Sequence, residues 1–178
     1  MVQKEFPNRK NLRLKGFDYN SIGAYFITIC THKRHCTLSH IVGAIHESPE
    51  TRLTEYGKTV DKIIGTVSDR FKIKVDGYVI MPNHVHLIVV ITDEEELRAI
   101  RESPLRSRSL ISKTIGYLKM NVSKEINNRF CKTKVWQRGF HDHIIRNRKD
   151  YEKIAKYIHE NPLRWESDCF YSECSSDR

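Results

Sequence analysis

Two histidines stand inside the apolar run MPNHVHLIVV at residues 81–90. Side chains of a β-strand alternate between faces, so His84 and His86 point one way while Val85, Leu87 and Val89 take or flank the other. Two neutral imidazoles desolvated side by side leave ring nitrogens in need of partners, and a divalent ion satisfies both at once. A structural reading stands beside this one: a histidine pair hydrogen-bonded on the partly wet face of a sheet. Residues at i and i+2 furnish two ligands, so a third must come from elsewhere. The C-terminal segment KDYEKIAKYIHEN reads as a helix, and Tyr157 and Asn161, four apart, lie on one face of it. Such a helix could set a phenol beside an ion and an amide oxygen upon it. Imidazoles plus a carbonyl oxygen, with positions open to water or phosphate, suit Mg2+ or Mn2+ better than a closed zinc site. The chemistry this permits is phosphodiester transesterification. The ion draws charge from a non-bridging oxygen while Tyr157 attacks phosphorus, and the covalent phosphotyrosine keeps the energy of the broken bond, so strands can be rejoined without ATP. Without the histidines, Tyr157 reads as an amphipathic core tyrosine.

Three other groups compete for these roles. His141 and His143 form a second His-x-His, but Phe140, Asp142, Ile144 and Ile145 frame it less continuously; His143 stands as a group near the DNA or the active site. Tyr151 precedes Tyr157 by six residues, about 240° around a helix, so the two cannot face the same ion. Glu160, three residues after Tyr157, shares its side of the helix and is a further candidate ligand.

The elements that must position these residues are legible in outline. AYFITICTHK has the β-branched and aromatic content of a central strand. Leu53, Tyr56, Val60, Ile63, Ile64 and Val67 recur at helical spacing, with Thr54 or an upstream polar residue as cap. IKVDGYVIMP and HVHLIVVI form a hairpin turning at Pro82-Asn83. Leu110, Ile111, Ile115, Leu118, Val122 and Ile126 make an amphipathic helix with lysines on its other side. VWQRGFHDHIIR reads as a strand bent or bulged at Gly139, and Asp150 or Asn147 caps the last helix, stopped by Pro162. This order predicts an α+β fold: a ferredoxin-like, RRM-like antiparallel sheet with helices on one face. Residues 1–178 are expected to form a single domain with a basic N-terminal arm over residues 1–15.

The formal net charge of +9 is unevenly spread: residues 106–156 hold fourteen Lys/Arg against four Asp/Glu, interleaved with Tyr117, Phe130, Trp136, Phe140 and Tyr151. Cations for phosphates and rings for unpaired bases suit a nucleic-acid surface, and an ordinary solvated face is the alternative. With no run of 18 apolar residues and no secretory signal, the chain is expected to be soluble, cytoplasmic and free of membrane. Its five cysteines form no C-x-x-C pair and are expected to be free thiols. The segments AIHESP (44–49) and AIRESP (99–104) differ at one position, an echo without a physical account.

MPNHVHLIVV, followed downstream by VWQRGFHDHIIRNRKDYEKIAKYIHENPLRW and preceded by RLKGFDYNSIGAYFITICTHKR, resembles the single-tyrosine transposases of the HUH (His-hydrophobic-His) endonuclease superfamily, most of all the REP-associated tyrosine transposases. The resemblance covers nearly the whole chain. It implies an HUH core in which His84 and His86 are metal ligands, Tyr157 the nucleophile and Asn161 the third ligand, with Mg2+ or Mn2+ as cofactor. Some relatives carry glutamine at the position of Asn161, so the ligand here is shorter. The resemblance implies a single-stranded DNA substrate with hairpin structure, a 5′-phosphotyrosine and a free 3′-OH, a homodimer or monomer, and association with the nucleoid when bound to DNA. Candidate DNA contacts are Arg9, Lys10, Arg13 and Lys15 in the arm, Lys113, Lys119 and Lys124 on the long helix, and Lys153, Lys156 and His143. Two readings of other classes remain: a non-catalytic sequence-specific hairpin or single-stranded DNA-binding protein, and a metal-stabilised structural protein.

Overall fold

The structure is a computed structural model that describes residues 21–43, 50–92 and 108–171. β1 (Gly23–Cys30) is central because its side chains are apolar on both faces, and it pairs with β5 (His84–Ile91) on one side and β6 (His141–Ile145) on the other. β4 (Ile73–Ile80) pairs with the outer side of β5, giving the strand order β4-β5-β1-β6, antiparallel throughout.

One face of this sheet carries Tyr25, Ile27 and Ile29 of β1 and Val85, Leu87 and Val89 of β5, all buried. Two helices cover it: α1 (Glu55–Phe71) with Val60, Ile63, Ile64 and Val67, and α2 (Leu110–Arg129) with Leu110, Ile111, Ile115, Leu118, Val122 and Ile126. Each such side chain taken from water contributes about 1.5–3 kcal/mol before chain entropy is subtracted. Thr54 caps α1 as its position suggests, accepting from Gly57 N–H at 3.1 Å, and a cap of this kind stabilises by about 1 kcal/mol. Gly57 must be glycine, because a Cβ there would lie 2.0 Å from the Leu38 carbonyl oxygen.

The last helix, α3 (Arg148–Glu160), lies on the other face. Asn147 is its cap, accepting from Asp150 N–H at 2.8 Å. Ile154 and Ile158 pack there on Ile88 and Ile145, with Phe26, Val79 and Val90 partly buried around them. The expectation of helices on one face is therefore corrected: two take one face and α3 takes the histidine face. Alternation gives the reason, since Ile88 and Val90 continue the His84-His86 row and leave an apolar strip that α3 buries.

Other departures are local. Ser39–Val42 (β2) and Glu50–Leu53 (β3) form a separate two-stranded ribbon that the sequence pattern did not single out. Only the second half of VWQRGFHDHIIR is a strand; Trp136 makes a lone bridge to Thr31, and Gly139, at φ +82°, breaks the run. Cys36 is disulfide-bonded, against the reading of five free thiols, and Cys30, Cys131 and Cys169 are free. Spacing in sequence carries no information about which distant cysteines meet in space. The echoed segments at 44–49 and 99–104 and the N-terminal arm lie outside the described residues. Among the described residues no helix is long and apolar enough to cross a membrane.

Candidate active site

Register sets the two histidines. Thr28 faces His86 and Cys30 faces His84 across the β1/β5 ladder. Thr28 Oγ1 lies 2.9 Å from His86 Nδ1, which fixes that ring from one side. On the other ring, Nδ1 lies 2.8 Å from Asn83 Oδ1. The Asn83 amide is oriented by its nitrogen, which donates to the carbonyls of Phe170 at 2.8 Å and Arg34 at 3.3 Å. Its oxygen therefore faces His84, so His84 Nδ1 is the protonated nitrogen and Nε2 carries the lone pair. That Nε2 is buried and has no hydrogen-bond partner among the described residues.

Both rings are essentially inaccessible to solvent. Burial pushes His84 down to about 4, with the Asp168 charge opposing and Arg34 assisting. His86 is pushed down to about 3, again by burial first and by His84 second. At neutral pH both are neutral imidazoles, the form that binds a cation.

α3 delivers the remaining groups to the same place. Tyr157 Oη lies 3.3 Å from His86 Nε2 and donates to Asp168 Oδ2 at 3.0 Å. One turn later, buried Asn161 donates through Nδ2 to the same Asp168 oxygen at 2.9 Å, while its Oδ1 is buried with no partner among the described residues. Asp168 reaches the site by way of the short 3-10 turn Pro162–Ser167 and is steadied by Phe170 N–H, which donates to Oδ1 at 2.7 Å. Burial works to raise its carboxyl, but the Phe170 N–H, the Asn161 amide, His84 and the Tyr157 hydroxyl outweigh it and hold the group below the usual range. Tyr157 is pushed the other way, by burial and then by the Asp168 charge and hydrogen bond, so its phenol stays protonated in this arrangement. The Phe170 ring covers His84 at 4.7 Å, and the Arg34 guanidinium stacks on Phe170 at 5.1 Å.

The sequence brought His84, His86, Tyr157 and Asn161 to attention, and the fold brings all four together. It missed Asp168, whose ligand oxygen lies within 4.8 Å of the histidine nitrogens, and the two orienting groups, Thr28 and Asn83. Asp168 lies beyond the helix, where no periodicity links it to Tyr157; Asn83 read only as a turn residue. Two orphaned buried atoms, His84 Nε2 and Asn161 Oδ1, beside a carboxylate and a second imidazole make a donor set that fits a divalent cation.

The competing groups are not part of this cluster, although His141 and His143 lie on the same face of the sheet. His143 is exposed and pairs with Asp150 Oδ2 at 3.0 Å, and His141 is exposed. Tyr151 donates to Asp76. Glu160 is engaged by Arg164 at 2.7 Å and Lys156 at 3.6 Å. Of the candidate DNA contacts, Lys153 and Lys156 are exposed on α3, beside the site. Lys113, Lys119 and Lys124 belong to α2, across the sheet from Tyr157, and Lys119 Nζ is committed to the carbonyls of Gln137 at 2.6 Å and Gly139 at 2.7 Å. Arg9, Lys10, Arg13 and Lys15 lie outside the described residues.

No protein-family model matches the chain. It is 33% identical over 173 residues to an uncharacterized protein of Haemophilus influenzae (strain ATCC 51907 / DSM 11121 / KW20 / Rd), covering 92% of this chain and 93% of the relative. A second protein of that organism, provisionally named a REP-associated tyrosine transposase, is 22% identical over 147 residues, 83% of this chain and 74% of the relative. The REP-associated tyrosine transposase of Escherichia coli (strain K12) is 25% identical over 111 residues, 62% of this chain and 56% of the relative. Among solved structures, a REP-associated tyrosine transposase bound to a REP hairpin shares the fold, with a TM-score of 0.57 at 20% identity over 80% of this chain and 67% of that one.

Proposed function

This chain belongs to the REP-associated tyrosine transposases, the single-tyrosine branch of the HUH endonucleases, and from that premise we propose that it cuts and rejoins single-stranded DNA at hairpin sequences through a 5′-phosphotyrosine. The observation that carries this reading is the meeting of the Tyr157 hydroxyl with two buried imidazoles and an unpartnered amide oxygen at one point. The hairpin follows the solved relative, which is bound to one.

In the proposed reaction Tyr157 Oη loses its proton, bonds to phosphorus and displaces the 3′ oxygen, which leaves as a free 3′-OH. Asp168, which already accepts the phenol's hydrogen bond, is the nearest carboxylate to receive that proton. Rejoining is the reverse: a 3′-OH attacks the phosphotyrosine and the phenol is restored. His84 Nε2, His86 Nε2 and Asn161 Oδ1 would hold Mg2+ or Mn2+, with Asp168 as the adjoining anionic ligand. When bound, the ion would draw negative charge from the phosphate in the transition state. Burial of α3 against the sheet fixes Tyr157 relative to the histidines, so the contribution the fold would make to the reaction is orientation.

The test is a covalent adduct that survives denaturing electrophoresis, formed between the full chain and a labelled hairpin oligonucleotide in Mg2+ or Mn2+. Tyr157→Phe and chelation are expected to abolish it and Tyr151→Phe to leave it. Hairpin binding with no adduct under either ion would favour the non-catalytic DNA-binding protein instead.

A further inference from the structure

A cavity of about 370 Å3 opens between α3 and the outer strand β4. It adjoins the proposed cleavage site without being part of it. In the β4/β5 ladder Val79, on the cavity floor, stands opposite His86, and Gly77 stands opposite Ile88. Neighbouring strands are about 4.8 Å apart, so the floor lies one strand from an ion ligand on the same face of the sheet. From above, Ala155 and Ile158 of α3 close it, and Ile158 follows the nucleophile directly in the chain. A base occupying it would belong to a nucleotide flanking the phosphate that Tyr157 attacks.

The lining has the composition of a site for a flat heterocycle. β4 carries a bulge between Val75 and Gly77, which leaves Asp76 without a ladder partner and turns its carboxylate into the cavity wall; bulges beside active sites commonly re-aim a side chain this way. At Gly77 a Cβ would meet nothing within 4 Å, so the missing side chain is open space rather than a tight contact. Tyr151 and His159 supply rings at the rim and Val79, Ile88 and Ile158 the apolar floor, the arrangement on which unpaired bases stack; the Tyr78 ring lies on the other face of the sheet, where its hydroxyl donates to Asp61 of α1.

Hydrogen-bonding character decides what enters. The single carboxylate in the lining, Asp76, accepts hydrogen bonds only, and the Lys74 ammonium beside it offsets its charge. Lys74 and Tyr151 already donate to it, but an ionised carboxylate has about four acceptor positions. Adenine and cytosine each offer a donor beside an acceptor on the pairing edge, and thymine one donor between two acceptors. Guanine offers two adjacent donors, N1–H and the N2 amino group, matched to two carboxylate oxygens. Resting on the single-stranded DNA reading above, we infer that this cavity between the β4 bulge and α3 receives an unpaired guanine next to the cleaved phosphate, read by Asp76.

The experiment uses the full chain and a hairpin oligonucleotide with a randomised single-stranded flank, followed by sequencing of the retained molecules. Guanine is expected to be enriched at one flank position. Replacing that guanine with inosine, which lacks the N2 amino group, should weaken binding about 5- to 150-fold, the range for removing a bidentate base pairing. A 7-deazaguanine, altered on the opposite edge, should bind as guanine does. Asp76→Asn should flatten the preference at that position. The inosine comparison is made on the unaltered protein and holds even if the variant folds poorly. Retained hairpins with no guanine preference, or a preference that survives inosine or Asp76→Asn, overturn the inference and leave the transposase reading standing. Absence of both hairpin retention and the tyrosine adduct would bring down that reading as well.

Discussion

Each histidine of the site offers the nitrogen it does because of one neighbour. Asn83 Oδ1 accepts the hydrogen bond from His84 Nδ1–H and so leaves the lone pair on Nε2, and Thr28 does the orienting work on His86 from the adjacent strand. Outer-sphere partners of this kind typically set metal affinity within a factor of 10–100. Thr28→Val keeps the shape and removes the hydroxyl, and is expected to weaken Mn2+ binding about 10- to 100-fold in calorimetric titration while leaving the melting temperature within a few degrees. Asn83→Ala should weaken it at least as much, since Asn83 also ties down the Phe170 and Arg34 carbonyls. Unchanged Mn2+ affinity in Thr28→Val would show that His86 needs no help from β1. The same residues mark what the sequence could tell. His84 and His86 were legible because strand alternation puts them on one face whatever the fold. Asp168 was not, because its arrival depends on a turn after α3 rather than on any spacing.

At the scale of elements, α3 is the part whose position matters most and whose placement was least legible. Its amphipathic pattern predicted a helix and its cap, and both are present. The pattern does not say which sheet face receives it, since β1 and β5 are apolar on both. Besides Ile154 and Ile158, α3 is tied to β4 by the Tyr151 hydroxyl donating to Asp76. A hydrogen bond to a partly buried carboxylate contributes about 1–2 kcal/mol, so Tyr151→Phe should lower unfolding free energy by about that amount at neutral pH. The pH dependence has a definite sign. The bond from Lys74, then that from Tyr151, holds Asp76 below its ordinary value of 3.8, so the stabilisation is present above that value and is lost as pH falls through the folded-state value. Denaturant titrations at pH 7 and pH 3 should therefore show the gap between wild type and Tyr151→Phe shrinking in acid. A gap that stays constant would mean that Asp76 is not the group that anchors α3.

At the scale of the whole molecule, the sheet is a partition. α1 and α2 lie on one side, and α3 with the histidines, Tyr157, Asn161 and Asp168 lies on the other. The net charge of +9 favours a polyanion but does not say which side it follows. On the proposed reading, a strand cut by Tyr157 would run along the α3 side, where Lys153 and Lys156 are exposed. Contacts from the α2 lysines require DNA that also reaches the far side or edge, as a hairpin stem can. The double variant Lys153→Gln/Lys156→Gln should therefore slow adduct formation on both hairpin and unstructured single strands, and reduce the salt slope of binding by about 1 for each phosphate left without its lysine. Lys113→Gln/Lys124→Gln should weaken binding of the hairpin alone and leave adduct formation on an unstructured strand at saturating protein unchanged. Lys119→Gln should differ from both by lowering the melting temperature, because its ammonium holds the 137–139 turn rather than facing solvent. Equal loss of single-strand adduct from the α2 and α3 double variants would mean that the substrate wraps the sheet edge, and that the partition does not separate hairpin holding from cleavage.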